Sequence, residues 1–302
     1  MRLLQATVVL LAALTASAHA NYEKALAAVE RNDSATAFRE FRAAAEAGDE
    51  RAFIQVARAY AVGVGTPVDL GAARRWAEKA AAKGAPDAQF LVYAVIVSMP
   101  ELNFFDAMGQ LDAMLHAALA ARPISQREDE MVAYDMLGRA AAQGYPDALL
   151  RLAGFYADNV GEGNRKRAAE LLDKVPKRPA VFDGLRKALA ELDAIGPTLM
   201  TVRMADQAIP AAFRAAQAAA AEKDKSKAEC KAVKPVRAQR MGAINKPIWL
   251  PLAVDGLKTA YLMSGEWRER WTFDVCGAES AVQVMFVADG LGSARYTVEK
   301  ER

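Results

Sequence analysis

Side chains able to do chemistry are sparse in this 302-residue chain. Beyond residue 20 there is one histidine, His116. A Ser-His-Asp or Cys-His nucleophile would have to use it, yet Met114, Leu115 and Leu119 around it suit a packed histidine. A zinc site needs more ligands than this histidine and two cysteines provide, so no metal is expected. Gly161-Glu162-Gly163-Asn164-Arg165-Lys166 lacks the spacing and the Lys-Ser/Thr ending of a phosphate-binding loop. Carboxylates remain, because glycan cleavage runs on Asp and Glu alone. Glu269 is the notable one: it falls among tryptophans on the apolar side of an alternating segment, where burial favours the protonated acid such cleavage requires. A sheet edge open to water, or a neighbouring arginine, would remove that role.

Those residues need elements to position them, and bulk composition sets the frame. Hydrophobic residues make up 53%, enough for a sizeable core, and 39 Lys+Arg stand against 37 Asp+Glu. So balanced a charge argues against a nucleic-acid partner. Arg2, the apolar run Leu3 to Leu14 and Ala18-His19-Ala20 form the pattern of an export leader cut after Ala20, leaving Asn21 first. An uncleaved anchor is the alternative, but the run is short for a bilayer. A periplasmic or secreted chain with no transmembrane segment after processing is expected. In that setting Cys230 and Cys276, 46 positions apart, read as a disulfide. Closing that loop is worth about 4 kcal/mol in the chain-entropy account; two separate buried thiols are the alternative.

The dominant pattern is a period. Gly48 closes Ala44-Ala45-Glu46-Ala47 and Gly84 closes Ala80-Ala81-Ala82-Lys83, 36 residues on. Such a step marks stacked helix pairs, each burying its apolar face against its neighbours. Helices are predicted over 22–30, 34–47, 51–62 and 70–83, with Asp33 or Ser34 and Asp69 as caps and the glycines as stops. Ala52, Val56, Ala57 and Tyr60 precede a Gly63-x-Gly65 loop and Asp69; Ala73, Trp76, Ala80, Ala81 and Gly84 follow. This run resembles a Sel1-like repeat, a relative of the tetratricopeptide repeats, departing from it at Val56, Ala57 and Thr66. Ala37, Phe41, Ala44, Ala45 and Gly48 fit the second half of a preceding unit, and Ala85–Val97 a following first helix. Its partner resumes only at Ala133-Tyr134-Asp135-Met136, after an insert with its own expected helix over 104–121. A last unit starts at Ala148 and decays by Pro176. The resemblance implies protein–protein scaffolding.

Helix is expected again over 181–221, with breaks near Gly196-Pro197 and Pro210, and then a charged linker or solvated helix end over 222–229. From 265 the pattern alternates: Trp267, Glu269, Trp271, Phe273 and Val275 on one face; Arg268, Arg270, Thr272 and Asp274 on the other. Strands are predicted there, at 281–288 and at 293–298, with shorter ones at 249–254 and 259–263.

The expected fold is mainly α, an α-solenoid of antiparallel helix pairs followed by a small antiparallel β domain. Its layout is a leader over 1–20, repeats over 21–176 with an insert at about 100–127, a helical extension and charged linker over 177–229, and a disulfide-stapled β domain over 230–302. Function is then expected to be binding: an exported interaction or scaffold protein with a repeat groove, without catalysis or cofactor, and with a protein partner. Arg51, Gln55 and Arg58 share one helical stripe, and Arg151 stands where Gln55 does one step along the array. These four are the candidate binding residues, a merely solvated face being the plainer reading. The alternative is a cell-envelope glycan-binding or glycan-processing protein using Trp267, Trp271 and Glu269. A structural dimer formed at the degenerate repeat end is a third reading.

Overall fold

The computed structural model describes residues 17–98, 124–175, 177–231, 235–254, 256–290 and 293–301. His116, the helix expected over 104–121 and most of the predicted leader lie outside them. The chain divides into two compact units, Met1–Tyr145 with Val254–Leu257, and Pro146–Ala253 with Lys258–Arg302.

Unit 1 is built from α1 (17–30), α2 (Ser34–Glu46), α3 (Glu50–Val62), α4 (Leu70–Ala81), α5 (Pro86–Val97) and α6 (Ile124–Ala142). From α2 to α5 each helix packs on the next in sequence, and α1 meets α2 through Ala25, Ala28, Ala37 and Phe41, so the helices are taken as pairs α1–α2, α3–α4 and α5–α6. Short buried alanines allow the close approach: Ala44 and Ala45 on α2, Ala52 and Ala57 on α3, Ala73, Ala77 and Ala80 on α4. Aromatic side chains fill the remaining gaps, Phe38 edge-on to Tyr60 at 5.1 Å between the first and second pairs and Phe53 against Trp76 at 5.7 Å within the second. The helix ends obey local rules. Asp33, Asp49 and Asp69 accept from backbone N–H groups of the first turns of α2, α3 and α4.

The glycines do two different jobs. Gly48, Gly84 and Gly144 each follow the second helix of a pair at φ +94°, +85° and +80°, and a Cβ on any of them would meet nothing within 4 Å. They are glycine for conformation alone. Gly65 has φ +73°, and in addition a Cβ there would lie 2.1 Å from Ser34 O, where the α3–α4 loop crosses the start of α2. Within the same unit Gly256 N–H donates to Asp135 Oδ1 (2.8 Å), and a Cβ on Gly138 would fall 2.1 Å from Gly256 O.

Unit 2 opens with the fourth helix pair, α7 (Pro146–Asp158) and α8 (Asn164–Asp173), followed by α9 (Ala180–Ala194) and α10 (Val202–Lys223). The break near Gly196 is found, but Pro210 does not interrupt α10. The carbonyl deprived of its partner is that of Asp206, an exposed residue open to water, and Gln207 O takes a hydrogen bond from Tyr296 Oη (2.9 Å). The charged 222–229 segment is an exposed helix end finished by a 3-10 turn, Lys225–Glu229.

A five-stranded antiparallel sheet completes the unit: β1 (Pro235–Arg240), β2 (Asn245–Val254), β3 (Leu257–Asp274), β4 (Glu279–Ala288) and β5 (Ala294–Lys300), in the order β1-β3-β4-β5 with β2 also on β3. The segments expected separately at 259–263 and 265–276 are one long strand, β3. β1 had no local signal, being short and polar. The alternation over 267–275 holds, save that Thr272 on the outer face is also buried (3% exposed). Among the described residues the sheet shares its core with the helices. One apolar cluster runs from Leu192, Leu199 and Phe213 on the helices to Trp267, Phe273 and Phe286 on the strands. Buried Ala205, Ala208, Ala212, Ala216 and Ala220 form the α10 stripe of that cluster. Ser280 Oγ reaches Ala216 O (2.8 Å). Cys230 and Cys276 form the disulfide, with Cα atoms 5.8 Å apart.

Two stability tests follow from these features. Gly48→Ala should cost about 1–2 kcal/mol for its left-handed backbone alone. Gly65→Ala should cost clearly more, since a backbone oxygen blocks the new methyl. The fluorescence of Trp76, the one tryptophan of unit 1, reports both by denaturant melting; equal midpoints would contradict the packing role of Gly65. Replacing Cys230 and Cys276 by serine should lower unit 2 stability by about 2–4 kcal/mol, read as a shift in its thermal midpoint with the midpoint of unit 1 unmoved.

Candidate functional site

The α3 stripe can be read residue by residue. Arg51 is about half exposed, but its guanidinium is engaged. Nε and Nη2 donate to the two Asp49 carboxylate oxygens at 3.0 and 2.7 Å, the group lies over the Tyr22 ring at 4.1 Å, and Nη2 is 2.8 Å from His19 Nδ1. The Arg51 hydrogen bond, above all, holds the Asp49 carboxyl below its ordinary pKa. A lowered carboxylate pKa adds stability that is present above the ordinary carboxylate range and lost as pH falls through the lowered value. Arg58 Nη2 donates to Asp87 Oδ2 at 3.1 Å. Gln55, between them on α3, is partly buried. Arg151 is exposed on α7 and belongs to unit 2.

Beside this stripe α3, α4 and α5 enclose a groove of about 270 Å³. Its apolar lining includes Ile54, Ala80 and Ala88. Around them stand Glu50 and Lys83, joined by a 2.5 Å ion pair, together with Arg51 and Asp87. Only Arg51 among these was singled out from sequence. The repeat itself points to one more, Asp87: Arg51 and Asp87 both stand three residues beyond a closing glycine, Gly48 and Gly84. Successive pairs thus bring equivalent positions to one groove.

The second candidate, Glu269, has a different surrounding from any expected. It is fully buried. Oε1 accepts from Leu199 N (2.8 Å) and Trp267 Nε1 (3.1 Å); Oε2 accepts from Thr198 Oγ1 (2.5 Å) and Trp271 Nε1 (2.9 Å). The Thr198 hydroxyl itself accepts from Met200 N–H (3.0 Å), so its own proton is directed at Glu269. Residues 267, 269 and 271 share a face of β3, which sets the carboxylate between the two indoles. The loop supplying the other donors, 195–201, is tied down around it. Ile195 O accepts Ala238 N–H of β1 (2.6 Å), and Gly196 leaves room for Ala238 O, which a Cβ would meet at 2.6 Å. From α8, Arg165 Nη1 donates to Thr198 O (2.5 Å) and Met200 O (3.2 Å), while Nε holds Asp193 (2.9 Å).

This arrangement corrects the expectation of an acid catalyst. A carboxylate with both oxygens occupied by protein donors and no solvent-facing surface has no route to an outside substrate. It corrects the sugar-stacking expectation as well: Trp267 and Trp271 are 3% and 0% exposed, and Trp267 stacks on Phe286 at 5.1 Å. Among the described residues no group of three or more His, Cys, Asp or Glu is placed to hold a metal ion, and no helix is long and apolar enough to cross a membrane.

Comparison with protein-family models and with curated proteins finds no match. Among solved structures, the chain is similar to c5321, a protective antigen of uropathogenic Escherichia coli strains displaying an SLR fold. Identity is 21% and the TM-score 0.36, over 54% of this chain and 30% of that one. The chain therefore spans less than a third of that protein's length. The helical-repeat assignment rests on the helix pairs themselves.

If Glu269 organises unit 2, Glu269→Gln should destabilise that unit by about 2–4 kcal/mol, because an amide NH₂ would face N–H and O–H donors. Thr198→Val, which removes one donor, should cost about 1–2 kcal/mol. Chemical denaturation of unit 2, followed through the near-ultraviolet signal of its buried tryptophans, measures both. Wild-type midpoints in both variants would sink the assignment.

Proposed function

We propose that this is an exported binding protein whose helical repeats hold a segment of a protein partner in the α3–α5 groove, and that it acts without catalysis. The observation that carries the reading is the groove's make-up: an aliphatic floor at Ile54, Ala80 and Ala88 within a rim of both charge signs. Such a site fits an extended peptide that sets one aliphatic side chain on the floor and polar groups on the rim. A polyanion would favour a rim of one sign. The pairs Glu50–Lys83 and Arg58–Asp87 are exposed, so they contribute little to stability and can exchange for partner groups at small cost. Export is supported by the Ala18-His19-Ala20 pattern and by a disulfide, which persists in oxidising compartments.

Ile54→Glu tests the groove, since it places a charge on the floor while leaving the α3 caps intact. A photo-reactive residue beside it, at Gln55, should form an adduct in cells with one protein, identified by mass and then purified. That protein should bind the wild type directly and the Ile54→Glu protein at least tenfold more weakly, at unchanged helix content. Equal affinity for both would overturn the groove assignment.

A further inference from the structure

Among the described residues β1 and β2 pair only with β3, and β5 only with β4, so these three strands form the edges of the sheet. β2 carries Pro247 and Pro251, and β1 starts at Pro235 with its register slipping before Arg237. Proline and irregularity protect an edge against a further strand. β5 has neither: Ala294–Lys300 contains no proline and keeps one register with β4 throughout. None of its seven residues is buried. Ala294, Tyr296 and Val298 pack against the apolar cluster and are still only partly covered. The backbone groups of β5 divide between two sides. Asp289 N–H donates to Ser293 O (3.1 Å), in register with Ala288 opposite Ala294. Bonded and non-bonded pairs alternate along an antiparallel ladder. Arg295, Thr297 and Glu299 therefore turn their N–H and C=O groups to β4, and Tyr296 and Val298 turn theirs outward. The side chains of Arg295, Thr297 and Glu299 are exposed on the face of the sheet away from the helices. Among the described residues neither Arg295 nor Glu299 has an ion-pair partner.

We infer that β5 is a self-association edge: two copies of the chain pair their β5 strands antiparallel about a two-fold axis at Thr297. The charge order of the strand carries this. Read in reverse, Arg295-x-Thr297-x-Glu299 is its own complement. Each Arg295 then faces the second copy's Glu299, and Thr297 faces its own copy across the axis. These are the non-bonded pairs, whose side chains come closest. The bonded pairs set Tyr296 opposite the second copy's Val298, so the outward N–H and C=O groups meet each other. Opposite charges, Thr–Thr and aromatic with β-branched residues are all favourable cross-strand pairs. Moving the axis to Tyr296 or Val298 sets Thr297 against a charge instead, so one register is selected. The two-fold pairing also limits itself, since each copy has one such edge and the dimer uses both. An edge of seven residues makes a small interface, and the dimer dissociates on dilution.

Sedimentation equilibrium of the full-length chain over a range of concentrations reads the association. The wild type should form a reversible dimer. Arg295→Glu and Glu299→Arg should each weaken it at least tenfold, because each sets like charges opposite one another at both ends of the pairing. The two single variants, mixed in equal amounts, should associate as the wild type does, since every charged pair is then opposite again. The double variant Arg295→Glu/Glu299→Arg should dimerise by itself for the same reason. An unchanged near-ultraviolet signal from the buried tryptophans checks that the sheet is intact in each. A wild type that stays monomeric at its highest soluble concentration rules the β5 pairing out. So does a dimer indifferent to the single reversals, or a mixture of the two variants that fails to recover it.

Discussion

Four donors converging on one buried carboxylate are the constraint that unit 2 is arranged around. Stripped of water and unpartnered, a carboxylate in an apolar core costs several kcal/mol. At Glu269 that cost is offset only if two indoles on β3 and two groups from the 195–201 loop arrive together. The indoles come with the strand, since they are its next same-face neighbours. The loop must be delivered from α9 and α10, some 70 positions earlier in the chain. Much around it serves that delivery. Gly196 lets the loop pass β1, Ile195 O takes a strand N–H, and Arg165 ties two loop carbonyls from the other side. Strand and loop can therefore be right only together, which explains why α9, α10 and the sheet share one apolar cluster.

Unit 1 is held on the opposite principle. Its contacts join each helix to the next, its helix ends are closed by left-handed glycines, and its alanines set the spacing. Stability in such an array is a sum of similar local terms, with no single residue on which the whole turns. Its surface ion pairs weigh little in that sum. The cations of the α3 stripe are accordingly neither free ligands nor structural pillars. Arg51 illustrates both halves: Asp49 and Tyr22 fix its position, and the groove it lines leaves it partly open.

What could be read from sequence divides along the same line. The helix stops at Gly48 and Gly84, the cap at Asp69 and the alternation from Trp267 to Val275 all depend on neighbours a few residues away, so they show in the chain directly. The groove was half legible. Arg51 and Arg58 were found as a stripe, Asp87 needed the step from one pair to the next, and Glu50 and Lys83 had no such signal. The Glu269 cluster was legible only as an oddity, an acid among tryptophans. Nothing near Thr198 or Leu199 signals a partner 70 or 71 positions away. β1 escaped for a related reason: Pro-Val-Arg-Ala-Gln-Arg alternates only over Val236 to Gln239, too short a run to signal a strand, and its pairing is dictated by β3. Pro210 misled because the cost of a helical proline depends in part on whether the orphaned carbonyl finds another partner, and that depends on tertiary exposure.

The spacing of the array shows the same contrast. In the second pair the loop between helices is pinned, since Gly65 rests on Ser34 O with no room for a side chain. Extra residues there would have to lift the loop from α2. After α5 the chain reads Ser98-Met99-Pro100, without a Gly-x-Gly loop, and the next described helix begins only at Ile124. In sequence the segment after α5 carries no such glycine pair, whereas Gly63-x-Gly65 closes the first helix of the second pair and the left-handed Asn32 (φ +58°) that of the first. A repeat array tolerates added chain in a loop, because each neighbouring interface survives the interruption. At the closing glycine of the third pair the order is restored: Gly144 N–H donates to Ala141 O (2.9 Å), as Gly84 N–H does to Ala81 O (2.9 Å).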